Sequence, residues 1–520
     1  MDSNTNAVQA VSPPVLKLPT FSLEHILVAP EMLALVPAKW ATRFKVFPVA
    51  YEHNILTLAA SDVPSITQLQ ELDFYLKTTV ILVRLDLKNI EELIRTHYGI
   101  GAQIVEELIE QSPIDVQVQN NFNDEEEFSE ASVGMLVDRL IRQAYVDRAT
   151  DIHLEPRESQ LSVRYRIDGI LHDANVPANI GHFKDAIVAR IKILASLDIA
   201  ERRLPHDGRF KFRINDKDVD CRVSVLPSPF GEAVVIRILN SLKPSQLDEL
   251  GMLNEEKSAI ERFLKKEHGI IFVTGPTGSG KTTTLYSCLS QLNTQERKII
   301  TLEDPIEYQL PGVLQTQVHP VIGLTFARGL RSMLRHDPDV MMIGEVRDEE
   351  TARIAIQIAL TGHLVFSTLH TNDAISGIAR LLDMGIEPYL ITGAVECFIA
   401  QRLVRILCVH CRRRSTVIVE LQSSFPFLND CDLGAIIFEA QGCERCRFTG
   451  YQGREAIYEI LPMTDRLRDL IIKRSSLEDL RRTAVEGGMK LLRQSGWEKI
   501  RLGKTSCAEI LRVTQEDVTS

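Results

Sequence analysis

Little in this sequence suits a secreted, membrane-spanning or disulfide-held protein. Nine cysteines among 520 residues are too few for a disulfide scaffold. No apolar run approaches the ~18 residues needed to cross a bilayer. The opening MDSNTNAVQA has neither the basic flank nor the apolar stretch of a secretory signal. Two tryptophans and 6% aromatic residues supply no interleaved aromatic-basic platform on which bases could stack. Basic charge is also short: 59 Lys and Arg face 70 Asp and Glu, a net charge of −11. That balance argues against a nucleic-acid coat protein or translocase. What the chain does have is 44% apolar and 25% charged residues, the mixture of a soluble globular protein. At ~150 residues per domain, its length predicts three or four folding units in a cytosolic protein.

The pattern along the chain divides it. Residues 1–20 read as a flexible arm, and 21–111 as a small α+β domain with helices over Ile90–Tyr98 and Val105–Gln111. The stretch 112–134 has no basic residue and holds Asp124, Glu125, Glu126, Glu127 and Glu130, which predicts a solvated acidic linker. An amphipathic helix starting at Met135 opens a second α+β domain over 135–242, whose strands include LSVRYRI, turned at Asp168-Gly169. From about residue 243 the strands become short and almost wholly apolar: 270–274, 299–303, 340–344 and 364–368. Strands of that composition are buried on both faces, so 243–402 reads as a doubly wound, parallel α/β domain. Residues 403–455 hold clustered cysteines, and 456–520 read as helical.

Gly275-Pro276-Thr277-Gly278-Ser279-Gly280-Lys281-Thr282 fits G-x-x-x-x-G-K-[ST] between an apolar strand and a helix-compatible segment that begins with Thr283. Glycines let backbone N–H groups close round phosphates, and the helix N-terminus adds partial positive charge. Lys281 would neutralise the β- and γ-phosphates of ATP, and the Thr282 hydroxyl would ligate Mg²⁺. Hydrolysis further needs a carboxylate for the metal's water and another for the attacking water. Glu303 and Glu345 both follow apolar strands, where α/β sheets place ligands, and His370 ends a third. Arg328, Arg331, Arg335 and Arg347 lie in the same region. Downstream, Cys408-Val-His-Cys411 and Cys443-Glu-Arg-Cys446 are two C-x-x-C pairs. Four thiolates from two tight turns would close a tetrahedral Zn²⁺ site of structural type; redox pairs and reduced core cysteines are the competing readings. His410 and Cys431 lie in the same stretch and are taken as bystanders.

Four boxes together resemble the secretion ATPases of type II secretion and type IV pilus assembly, the GspE/PilB family. They are GPTGSGKT (275–282), ITLEDPIEY (300–308), LRHDPDVMMIGEVRD (334–348) and TGHLVFSTLHTN (361–372). The resemblance covers about 130–515 strongly and 38–99 more loosely. It implies a RecA-like P-loop ATPase domain, preceded by a PAS-like N2 domain over 135–242 and an N1 partner-docking domain over 21–111. It assigns Glu345 to the Mg²⁺ site, Glu303 to water activation and His370 to coupling the γ-phosphate with domain movement. It brings the N2 arginines Arg164, Arg166 and Arg190 to the phosphates, and it supports zinc at Cys408, Cys411, Cys443 and Cys446. It further implies a homo-hexamer, cytoplasmic and peripheral to the inner membrane. The implied partners are a bitopic inner-membrane protein held through N1 and a polytopic platform protein. Some members bind cyclic-di-GMP through an N-terminal motif opening Arg-Leu-Gly. No such motif precedes residue 100 here, which tilts the reading toward a type II secretion motor over a type IV pilus extension motor.

Overall fold

The protein is described by a computed structural model that covers residues 19, 28–111, 124–158, 160–214, 216–239, 246–428 and 432–514. It divides into two compact units, Met1–Asn240 and Ser241–Ser520. Most of the arm expected over 1–20 lies outside the described residues.

The first unit opens with a three-stranded sheet in the order β1 (Val46–Glu52), β2 (Ile55–Ala60), β3 (Thr79–Arg84). The first pair is antiparallel and the second parallel. His53 and Asn54 turn the β1–β2 hairpin with φ of 50° and 63°, the left-handed pair a two-residue hairpin turn demands. One face packs Val36, Trp40, Phe44, Val46, Leu56 and Leu58, and the other Phe47, Val49, Val83 and Ile90. The expected helices are present as Leu87–Tyr98 and Ala102–Gln111. The Glu106 carboxylate on the latter accepts the N–H groups of Ala38 and Lys39 at 3.0 and 2.9 Å, capping the helix Ala38–Phe44 as an acidic group at an N-terminus should.

The stretch expected as a linker behaves differently. Residues 112–123 lie outside the described residues, but from Asp124 the chain is already helical and runs without interruption to Val146. The helix packs through Val133, Leu136, Val137, Leu140 and Ile141 against a six-stranded antiparallel sheet. Its strands are β4 (Ala149–Pro156), β5 (Leu161–Ile167), β6 (Ile170–Asp173), β7 (His206–Ile214), β8 (Lys217–Ser228) and β9 (Gly231–Leu239). Their order is β6-β5-β4-β9-β8-β7. Asp168-Gly169 turns β5 into β6 with both residues at positive φ, as the dipeptide predicts.

The second unit is built on a seven-stranded sheet. Its first six strands are β10 (Gly269–Thr274), β11 (Ile299–Glu303), β12 (Leu314–Gln317), β13 (Val340–Ile343), β14 (Leu364–Leu369) and β15 (Val395–Leu407). A small hairpin follows, β16 (Arg413–Thr416) with β17 (Ile436–Glu439), and then β18 (Tyr451–Pro462). The sheet order is β12-β11-β13-β14-β10-β15-β18, parallel except that β18 runs against β15. β10, β11, β13 and β14 are buried along their whole length, because helices lie over both faces. The boundaries expected at 402/403 and 455/456 fall inside β15 and β18. The cysteine-bearing segment therefore tips a hairpin that belongs to the central sheet. β15 hid from the sequence pattern because Gln401, Arg402 and Arg405 interrupt its apolar run.

Candidate functional site

β10 delivers the chain into residues 275–280, and the helix Lys281–Leu292 takes over directly. Gly278 and Gly280 have φ of 80° and 87°, a left-handed conformation that only glycine adopts without strain. A Cβ on Gly278 would meet nothing within 4 Å, so that turn faces open space, whereas one on Gly275 would lie 2.6 Å from Ser279 Oγ. Ser279 Oγ is buried without a hydrogen-bond partner, a polar atom left for an incoming acceptor. A loop of N–H groups with an orphaned hydroxyl and an open mouth fits a phosphate chain. Lys281 folds back over it, Nζ donating to the carbonyls of Gly275 at 2.7 Å and Pro276 at 3.0 Å. Burial pushes the Lys281 ammonium down to about 8, with Glu345 opposing and Arg402 reinforcing the shift.

The parallel register sets the other groups beside this loop. β13 ends in Gly344-Glu345 and β14 in Leu369-His370. The two strand ends are tied together, Thr368 Oγ1 donating to the Gly344 carbonyl at 2.8 Å and the Val346 N–H to the Thr368 carbonyl at 3.1 Å. Glu345 Oε2 lies 3.4 Å from His370 Nε2, and its Oε1 accepts from Arg347 Nη2 at 2.5 Å. Burial and the nearby Lys281 charge lower the His370 pKa, so the ring is neutral at pH 7. Lys281, Glu345 and His370 thus converge.

Glu303 is next door in the backbone and apart in its side chain. β11 pairs with β13, and the Gly344 N–H donates to Leu302 at 2.8 Å. Yet the Glu303 carboxylate is only 3% exposed and turns into a polar pocket. Oε1 accepts from Thr301 Oγ1 at 2.5 Å and from Gln315 Nε2 at 3.1 Å, and Oε2 accepts from the Tyr286 hydroxyl. Burial raises its pKa against these three donors. Of the four arginines singled out in this region, Arg347 reaches Glu345. Arg331 pairs with Glu350 at 2.6 Å, Arg335 donates to the Arg331 carbonyl and Arg328 to the Gly323 carbonyl. In the first unit, Arg164 is paired with Glu155 at 2.6 Å, Arg166 lies 3.7 Å from Asp151, and Arg190 packs against Gly134. The motif reading missed Tyr286, Gln315 and Gln401. The signal for Gln401 was a glutamine directly after the apolar run CFIA.

The cysteines form a separate centre. β15 leads straight into Cys408, and the four sulfurs of Cys408, Cys411, Cys443 and Cys446 all lie within 4.8 Å of one another. The Cys408–Cys443, Cys411–Cys446 and Cys443–Cys446 sulfurs are 3.9, 3.7 and 3.7 Å apart. A tetrahedral Zn²⁺ with ~2.3 Å bonds requires sulfurs ~3.8 Å apart, so the set fits that ion. Backbone N–H groups of Gly442, Cys443 and Gly450 donate to Cys411 and Cys446 sulfurs at 3.1–3.3 Å, the outer support a thiolate set needs. His410 stacks its polarity against Arg445 at 3.0 Å, and Cys431 lies outside the described residues.

Comparison with known proteins sets these sites in a family. The family described as "Type II/IV secretion system protein" matches residues 126–512, and the "MshEN domain" matches 16–104. The type IV pilus assembly ATPase PilB of Myxococcus xanthus is 40% identical over 96% of this chain and 89% of its own. The type II secretion system ATPase E of Vibrio cholerae is 45% identical over 74% of this chain and 76% of its own. Type II secretion system protein E of Xanthomonas campestris is 44% identical over 84% and 77% respectively. Among solved structures, the Legionella pneumophila ATPase DotB superposes with a TM-score of 0.54 at 21% identity, over 77% of this chain and 98% of that one. That last likeness speaks for the RecA-like fold. With a P-loop, strand-end carboxylates and family relatives along nearly its whole length, the chain belongs to the type II/IV secretion system protein family, as a P-loop ATPase.

Proposed function

We propose that this ATPase hydrolyses Mg²⁺-ATP to power pseudopilus assembly and protein export in type II secretion. The observation that carries the reading is the convergence of Lys281, Glu345 and His370 on one glycine-rich turn. The backbone of 275–283 would cradle the phosphates and Lys281 would neutralise them. Thr282 and Glu345, the latter through water, would hold Mg²⁺, which supplies charge neutralisation at the β- and γ-phosphates. Glu303 would take the proton from the attacking water as the bond from the β,γ-bridging oxygen to the γ-phosphorus breaks. Its burial-raised pKa makes it a stronger base than a solvated carboxylate. His370, neutral beside Glu345, would report the γ-phosphate to the strand end that carries it, and Arg164, Arg166 and Arg190 would complete the site.

The working form is taken as a homo-hexamer in the cytoplasm, peripheral to the inner membrane. Residues 21–111 would dock a bitopic inner-membrane protein, and a polytopic platform protein would receive the force. None of the helices among the described residues is long and apolar enough to cross a membrane, so on this reading the contact with the bilayer runs through those partners. Cys408, Cys411, Cys443 and Cys446 would hold one structural Zn²⁺, with no open position for catalysis. Metal analysis should return one zinc per chain, lost together with thermal stability in Cys443→Ser; a metal-free, equally stable wild type refutes it.

The hydrolysis rate against protein concentration, with mass followed by light scattering in the same samples, tests the motor reading. Specific activity should rise as hexamers form. A stable monomer turning over at a concentration-independent rate overturns it. A type IV pilus extension motor is the second reading, favoured by the Myxococcus pilus relative, whose match covers 96% of this chain against 74% for the Vibrio match. Deleting the gene in its source organism separates the two: loss of exported enzymes with pili intact supports type II secretion, and the converse supports the pilus.

A further inference from the structure

Gln401 stands at the middle of β15, one residue beyond the last β10 pairing, Thr274 with Ala400, and is only 2% exposed. Its amide bridges the phosphate turn from beneath. Nε2 donates to the Ser279 carbonyl at 2.9 Å, and Oε1 accepts from Thr284 Oγ1 at 2.8 Å. Ser279 belongs to the loop and Thr284 to the first turn of the following helix, so one side chain fixes both halves of the anion cradle. The loop is built tightly against it: a Cβ on Gly275 would lie 2.7 Å from the Gln401 carbonyl oxygen, and one on Gly280 2.8 Å from Nε2. The polarity is specific. A buried carbonyl needs a donor and a buried hydroxyl an acceptor, and an amide supplies both from one planar group. Its neighbour Arg402 continues the same strand, Nη2 donating to Asn372 Oδ1 at 3.3 Å, just past His370.

We propose that Gln401 is a positioning residue for nucleotide binding: it sets the direction of the 275–280 N–H groups toward the phosphates without touching them. The inference rests on reading 275–282 as the ATP site. Gln401→Leu removes both hydrogen bonds at similar volume. Gln401→Glu keeps the acceptor for Thr284 but sets an oxygen against the Ser279 carbonyl, and it adds negative charge beneath an anion-binding turn. The glutamate should therefore do more harm than the leucine, and more for ATP than for ADP.

Calorimetry of Mg²⁺-ATP and Mg²⁺-ADP binding to the full chain, with melting temperatures alongside, reads this directly. Gln401→Leu should weaken both nucleotides by about tenfold, the scale of one or two buried hydrogen bonds. Gln401→Glu should weaken them further and narrow the preference for ATP over ADP. Folded variants with wild-type affinities overturn the proposal, as do losses that are equal for Leu and Glu and blind to phosphate number. If neither variant folds, Thr284→Ser and Thr284→Val carry the test. The serine keeps the donor and the affinity and the valine loses both, and a valine variant indistinguishable from wild type is again fatal. Lys281→Ala separates the two layers. If it too binds ATP normally, the reading of the site fails; if it is crippled while the Gln401 variants are not, this inference alone fails.

Discussion

The ends of β11 and β13 are adjacent strand termini in one sheet, each carrying a glutamate, and they hold those glutamates in opposite ways. Glu345 sits between two cations and a neutral ring, with Arg347, Lys281 and His370 about it. Glu303, on the neighbouring strand, is sealed among neutral donors from Thr301, Gln315 and Tyr286. Strand-end position therefore brings the residue's backbone to the phosphate edge of an α/β sheet, and the surrounding groups decide which way its carboxylate turns and what it can do. A carboxylate that borders the phosphate loop and its lysine is placed to meet a cation. Burial among dipoles lifts its pKa and suits it to a proton.

Glutamine substitutions should break the symmetry most strongly. Glu345→Gln is expected to lower kcat by about a thousandfold or more while ATP still binds, and to raise the Mg²⁺ concentration needed for the residual rate. Glu303→Gln should lower kcat by about 10²–10⁴, the scale of general-base loss, with its Mg²⁺ dependence unchanged. Steady-state rates titrated with Mg²⁺ distinguish the pair. If Glu303→Gln turned over like wild type, or shifted the metal requirement as Glu345→Gln does, the division of labour would be wrong.

A smaller effect sharpens the sealed end. The Tyr286 hydroxyl steadies the ionised form of Glu303, so Tyr286→Phe should raise a pKa that burial has already lifted. Glu307 pushes in the same direction. A base is active only when deprotonated, so the acid limb of the kcat profile should move to higher pH by up to about one unit, the equivalent of one hydrogen bond. An unmoved acid limb in a folded variant would place the titrating group elsewhere.

How much of this was legible in the sequence follows the same physics. The P-loop, the four apolar strands and the two cysteine turns are local patterns, and each was readable within a dozen residues. The helical stretch ahead of Met135 was not, because an acid-rich segment has no apolar period to read. β15 and β18 were cut by the expected boundaries because Gln401, Arg402 and Arg405 in one, and Arg454, Glu455 and Glu459 in the other, break the apolar signature. The environment of Glu303 was out of reach altogether. Its partners Tyr286 and Gln315 stand 17 and 12 residues away in sequence and meet it only through the sheet register.

The smallest expected effect is a proton count, and it tests the charged end. Burial holds Lys281 at about 8, whereas a phosphate chain in contact with it would restore the ammonium. Binding of Mg²⁺-ATP should therefore take up about half a proton at pH 8 and about a tenth at pH 7. The binding enthalpy measured in buffers of different ionisation heat reports that number. Lys281→Arg, which stays charged throughout this range, should abolish the uptake at pH 8. His370 offers the alternative sink, but its pKa is lowered from 6.5, so uptake through it would grow below pH 6.5 and survive in Lys281→Arg. Uptake that rises with pH through 8 assigns the proton to the loop lysine and leaves His370 a neutral hydrogen-bonding group beside Glu345. Uptake confined to acid pH would instead make β14 the protonated end of the site.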